Sequence, residues 1–331
     1  MIRKRLLIYP TLLSILPIFV AWRGLGVATT IALVAMLLGI RWLIVLSGIV
    51  APERTPPIIL DTISASHFVE KIRWCMDRLG LDYAERVSGG TLGAFFLGRT
   101  VPQLRIRTGL VQSVIGNSPE ILRYLWGTYG AADERASFLE PLPERLELEK
   151  RLDRYGVNLQ VWVYHHILGD RQLTLHAWGV DNPLVPWWQR QLLRLLFPLL
   201  ALLIRRAFST THENYARAVQ HIENLLTDID TRLADGRRSI LGGDAINYTD
   251  IAFAAMSGLW LQPEGYGGGM ADTVRIARDT TPPAMRADIE RWIEDHPKST
   301  ALIERMYKHA RTRGAKTFAD DHGRNGPGDN A

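Results

Sequence analysis

The stretch "ISASHFVEKIRWCMDRLGLDY", residues 63–83, decides the fold. A Ser-Ala-Ser turn opens it. Behind the turn Phe68, Val69, Ile72, Cys75, Met76 and Leu79 recur at helical spacing, while Glu70, Lys71, Arg73, Asp77 and Arg78 take the other face. Gly80 suits the end of this helix, because glycine tolerates the left-handed conformation that helix ends favour. Upstream, "PIILDTI" (57–63) is a short apolar run of β type bounded by prolines and the turn. Downstream, "LDYAERV" (81–87) reads as a second strand. "QLRIR" (103–107) and "LVQSVI" (110–115), separated by Thr108-Gly109, read as a hairpin. "NSPEILRYLWGTY" (117–129) then places Ile121, Leu122, Leu125, Trp126 and Tyr129 on one helical stripe. The order strand, helix, strand, strand, strand, helix implies a small mixed sheet with helices on its faces.

The chain around this unit has 331 residues, is 47% hydrophobic and 22% charged, and so can bury sizeable cores. Its net charge of +5 is spread along the chain, which argues against nucleic acid as a partner and suits proximity to anionic lipid. Cys75 is the single cysteine, so no intramolecular disulfide forms and a Cys-based metal site is not expected.

Residues 1–50 differ from the rest. Arg3, Lys4 and Arg5 precede an apolar run from Leu6 to Trp22 that contains Pro10 and Pro17. Arg23 and Gly24 break it, and a second run from Val27 to Val50 contains Arg41. The second run has the length of a spanning helix. Two topologies fit: a helical hairpin, or one span preceded by an interfacial segment. The basic residues before the leader, with Arg54 after it, place the remaining chain on the cytoplasmic side. Residues 51–56 read as a stiff linker, since proline fixes the backbone angle and cannot continue a helix.

Three landmarks in the following segment resemble the amino-terminal, thioredoxin-like domain of glutathione transferases. They are a small polar residue entering the first helix with a basic residue five positions on (Ser66 and Lys71), the pair Val101-Pro102 before the third strand, and Asn117-Ser118 opening the last helix. The resemblance implies a thioredoxin-like domain over 57–131, an all-helical domain over 132–314, and glutathione as co-substrate with no metal. It implies that Ser66 is the catalytic hydroxyl, donating to the glutathione sulfur. The glutathione-binding set would be Ser64, His67, Val101, Pro102, Asn117 and Ser118. His67 departs from the family, where proline is frequent at that place, and Ser64 is a second candidate donor. Ser66 also suits a plain helix cap. On physical grounds Asn117 can cap the last helix, with Glu120 three residues on and Pro119 in the first turn. A hydroxyl donor at a helix start favours a thiolate over a thiol, whose free pKa is about 8.5.

The remainder reads as helical. "HENYARAVQHIENLLTDIDTRLADG" (212–236) is one amphipathic pattern closed by Gly236, and Asn247 with Asp250 has the spacing of a capping pair for a buried helix. "VPWWQRQLLRLLFPLLALLIRRAF" (185–208) is too short in its apolar core to span a bilayer. It suits either an interfacial helix or a buried one. The His165-His166 pair lacks a second ligand cluster and reads as structural, "EGYGGGM" (264–270) lacks the residues of a phosphate loop, and 315–331 reads as a disordered tail. The resulting expectation is a membrane-anchored, glutathione transferase-like protein acting on a hydrophobic electrophile, with membrane lipid and a second copy of the chain as partners. The other reading is a non-catalytic protein using the same fold for binding or membrane organisation, as metaxin-like relatives do.

Overall fold

The computed structural model describes residues 5–46, 48–53, 55–90, 92, 101–131, 133–277, 279–311 and 316–317. Two compact units are present, Met1–Pro56 with Arg107–Ser113, and Pro57–Ile106 with Val114–Ala331.

The first unit is built on α1 (Arg5–Leu46), which runs on through Arg23 and Gly24 and breaks instead at Gly26. Its backbone there (φ 82°, ψ 173°) is a conformation that only glycine adopts readily. Among the described residues no helix is long and apolar enough to cross a membrane, so the expected spanning anchor over 1–50 gains no support. Nor does the leader run to Val50 as one apolar segment. Val50 N donates to Leu110 O, and Gln112 N to Gly48 O, each at 2.9 Å, so the main chain here pairs with the tip of a β-hairpin. Arg107 Nε fastens Thr55 O in the same way, which makes the expected linker a tied segment. Arg3, Lys4 and Arg54 lie outside the described residues.

The second unit opens with β1 (Ile58–Thr62), α2 (His67–Arg78) and β2 (Ala84–Val87), a crossover that sets β1 and β2 parallel with Ile59 opposite Ala84. Strands β3 (Gln103–Thr108) and β4 (Val111–Gly116) follow, and β3 runs antiparallel to β1 with Leu60 opposite Leu104. Helix α3 (Ser118–Tyr129) completes the motif. The sheet order β4-β3-β1-β2-β5 includes β5 (Lys316–Thr317), parallel to β2. The expected tail at 315–331 therefore contributes a strand at its start, while 318–331 lie outside the described residues. This is a thioredoxin-like sheet.

Helices α4 (Pro143–Ile167), α5 (Arg171–Ala177), α6 (Trp187–Phe208), α7 (His212–Arg232), α8 (Tyr248–Leu261), α9 (Pro283–Asp295) and α10 (Pro297–His309) form the helical part. Helix α8 is apolar all round and buried along almost its whole length, as such a helix must be. Its start is fixed by the expected capping box. The Asp250 carboxylate accepts from Asn247 N at 2.9 Å, from Ile240 N at 2.8 Å and from Ser239 Oγ at 2.8 Å.

Apart from the exposed Arg78, the charged face of α2 is not a solvent face. Arg73 bonds Glu85 at 2.6 and 2.9 Å and Glu70 at 3.0 Å, and Arg311, beyond α10, bonds Glu70 and Asp77 at 2.7 Å each. Tyr83 donates to Asp77 at 2.8 Å, and the buried Lys71 pairs with Asp153 at 2.9 Å. All five members of the Arg73 network are at most 2% exposed at the side chain. Removing one partner strands the others without solvation. Arg73→Met is expected to lower unfolding free energy by about 3–5 kcal/mol, measured by urea denaturation. A loss under about 1 kcal/mol, the range of an exposed pair, would show the network to be dispensable.

Candidate functional site

Helix α2 begins where the Ser-Ala-Ser turn stops. Ser66 is the cap, half-buried, and its Oγ accepts from Val69 N at 3.4 Å. That bond uses an oxygen lone pair and leaves the hydroxyl hydrogen available to donate. Ser66 and His67 form part of the wall of a cavity of about 320 Å³, together with Val101 and side chains from the helical part, among them Tyr164, Ile167, Trp178, Ile204, Phe208 and Val274. The Val101-Pro102 peptide bond is cis.

The cavity has a mainly apolar wall with one small hydroxyl at a helix start. Its position follows from two clamps. His67 Nε2 lies 3.0 Å from Gly156 O on α4, where only a glycine leaves room: a Cβ at 156 would meet Met256 Sδ at 2.6 Å and His67 Nε2 at 3.1 Å. Tyr266 donates to Ala65 O at 3.0 Å from the glycine-rich loop 264–270. That loop packs on the turn before α2: a Cβ at Gly267 would be in ordinary contact with Ser64 O at 3.6 Å and would crowd Ala271 Cβ at 2.9 Å.

The other expected binding residues are placed differently. Ser64 is buried and its hydroxyl accepts from Asn182 Nδ2 at 2.8 Å, so it is not at the cavity wall. Asn117 does not cap α3. With φ at 70° its side chain turns to Glu120 Oε2 at 3.2 Å, away from the helix N–H groups. Pro102, Asn117 and the buried Ser118 are not among the residues that line the cavity. Cys75 is fully buried, which pushes its thiol up to about 12 and leaves it inert.

The His165-His166 pair belongs to the packing of α4 against α7 and α9. Asp288 accepts from Tyr215 Oη at 2.7 Å and Trp162 Nε1 at 2.9 Å, with His166 Nε2 at 3.3 Å. Burial opposes its charge, yet these bonds and Arg291 hold the carboxyl below its usual range. Among the described residues no group of His, Cys, Asp and Glu could hold a metal ion. Sequence reasoning missed Tyr164, Trp178 and Tyr266, which come to the cavity from distant helices and loops. The run of glycines around Tyr266 was the one local signal of a close approach.

No protein-family model matches the chain. No curated protein matches it. Among solved structures, it is similar to a glutathione S-transferase from Methylobacterium radiotolerans in complex with glutathione sulfonate, at 17% identity over 80% of this chain and 98% of that one, TM-score 0.45. It is also similar to FzlA from C. crescentus, at 13% identity over 71% and 100% of the two chains, TM-score 0.42. A theta class glutathione S-transferase from Xanthomonas axonopodis pv. citri with glutathione bound is 20% identical over 75% and 97%, TM-score 0.36. With TM-scores under 0.5, none of the three bears on the assignment of the site.

Burial is the main cause that lowers His67 from 6.5 to about 4, so the ring is neutral and Nε2–H donates to Gly156 O. Between those values the unfolded chain binds a proton that the folded chain does not. Stability is therefore full above pH 6.5 and falls as pH drops toward 4, by about 3 kcal/mol in all. His67→Gln keeps a donor and cannot titrate. Chemical denaturation across this window is expected to show a flatter pH slope in the variant than in the parent.

Proposed function

We propose that the cavity beside α2 takes the thiol of glutathione and that the protein transfers it to an apolar electrophile. The observation that carries this reading is the position of Ser66, a hydroxyl at a helix N-terminus in the wall of an otherwise largely apolar cavity. The hydroxyl and the positive end of α2 both favour the thiolate over the thiol. The thiol proton leaves to solvent. The sulfur lone pair then forms the new C–S bond, and the leaving group departs with its electron pair. Ser66 stays unmodified, and the apolar wall from Tyr164, Trp178 and Phe208 seats the electrophile.

A second reading is a non-catalytic binding protein. It is favoured by Ser64 being engaged by Asn182 and by Asn117 facing Glu120, which takes two polar groups away from a bound tripeptide. Ser66→Asp separates the two readings, because aspartate caps a helix as well as serine but places an anion where the thiolate would sit. With the full-length chain, glutathione and an aryl halide, turnover is expected to fall by about 10²-fold in the variant, the scale of losing one oriented donor. Thermal stability is expected to hold. A parent chain that binds no glutathione by calorimetry removes the transferase reading and leaves the second.

We also propose that α1 associates with membrane. Phe19, Trp22, Val27, Ile31, Met36 and Trp42 are exposed along it, a density of large apolar side chains that water disfavours. Recovery of the full chain in the membrane pellet after alkaline extraction is the expected result. Release into the supernatant would reduce the contact to a peripheral one.

A further inference from the structure

Helix α6 has two apolar faces, and only one is used. Leu193, Phe197, Leu200 and Ile204 are buried, packed in a cluster with Leu175 and Trp178. On the far side Leu195 is 74% exposed, Leu199 52% and Leu202 49%. At about 100° per residue these three fall within an arc of about 60°, so they form one stripe. Arg194 and Arg205 project along one flank of that stripe and Arg206 stands at its end, while the 22-residue helix contains no Asp or Glu.

We infer that this face of α6 lies on an anionic phospholipid surface, with the leucines in the acyl boundary and the arginines at the phosphates. The inference depends neither on the transferase reading nor on α1. The apolar stretch Leu195–Ile204 between flanking arginines is about 15 Å long, half the thickness of a bilayer core, so α6 lies in the interface and does not cross it. Guanidinium groups snorkel from such a face to the headgroups. A second copy of the chain is the weaker occupant, because a self-contact through α6 sets three arginines against three with no acidic residue in the helix to pair them.

The test uses the full chain with a fluorophore on Leu195→Cys, and a control on Lys150→Cys, an exposed position of α4. Native Cys75 is buried and stays unlabelled. Vesicles of phosphatidylcholine, with and without phosphatidylglycerol, carry a nitroxide-labelled lipid as quencher. The expected result is quenching at 195 and not at 150, several-fold stronger with phosphatidylglycerol, and reduced several-fold by Arg194→Glu with Arg205→Glu in a chain of unchanged circular dichroism. Equal quenching at both positions overturns the inference, as does quenching indifferent to phosphatidylglycerol. So does a probe at 195 that is shielded from aqueous iodide, without vesicles, in a chain sedimenting as a dimer.

Discussion

Helix α2 depends on charges that have no access to water. Glu70, Arg73, Glu85, Asp77 and Arg311 form one connected set at the centre of the second unit. An ion pair of this depth repays its desolvation only when geometry and hydrogen bonding are complete. Here each carboxylate has at least one short partner. Burial raises Asp77, yet Arg311 and Tyr83 counter that rise, and Glu70 and Asp77 in turn hold Arg311 above its ordinary value although burial works against its charge. The set fixes α2 against β2 on one side and against the chain beyond α10 on the other. Every other feature of the cavity is measured from that fixed helix.

With α2 immobile, its first turn becomes a platform. The clamps from Gly156 O and Tyr266 hold the turn, while the helical part closes over it with aromatic and aliphatic side chains. A small hydroxyl is thereby set against an apolar wall, the combination that makes one polar group effective: the low local polarity strengthens whatever hydrogen bond it makes. The buried imidazole is part of that wall, neutral and with its Nε2–H committed to a carbonyl.

Much of this was legible in the chain before its structure. Strand and helix periods, Gly80, the hairpin turn at Thr108-Gly109 and the Asn247–Asp250 box are local signals, and local signals survive the step from sequence to fold. What could not be read was the destination of long-range partners. The spacing on α2 separated a charged face from an apolar one, but nothing local said that Arg311, more than two hundred residues on, would cover that face. Asn117 had the residue type of a cap and a glutamate at the right offset, yet a positive φ turned it outward. In the sequence Ser66 was the first candidate donor and Ser64 the second, and Asn182 engages only Ser64. On α1 the break fell at Gly26, two residues past Gly24, because backbone freedom and not charge decides where a helix is interrupted.

The contribution of Arg311 also bears on the order of events during synthesis. Strand β1, α2 and β2 leave the ribosome early, carrying Glu70 and Asp77, but the guanidinium that satisfies both is translated more than two hundred residues later, and Trp74 Nε1 waits for Ala310 O in the same way. A nascent thioredoxin-like segment must therefore keep that side of α2 hydrated while the seven helices from α4 to α10 are made. Closure of the core therefore waits for Arg311, and a ribosome stalled before that residue would hold a chain whose strands β1 to β4 are made but whose central helix is still open to water.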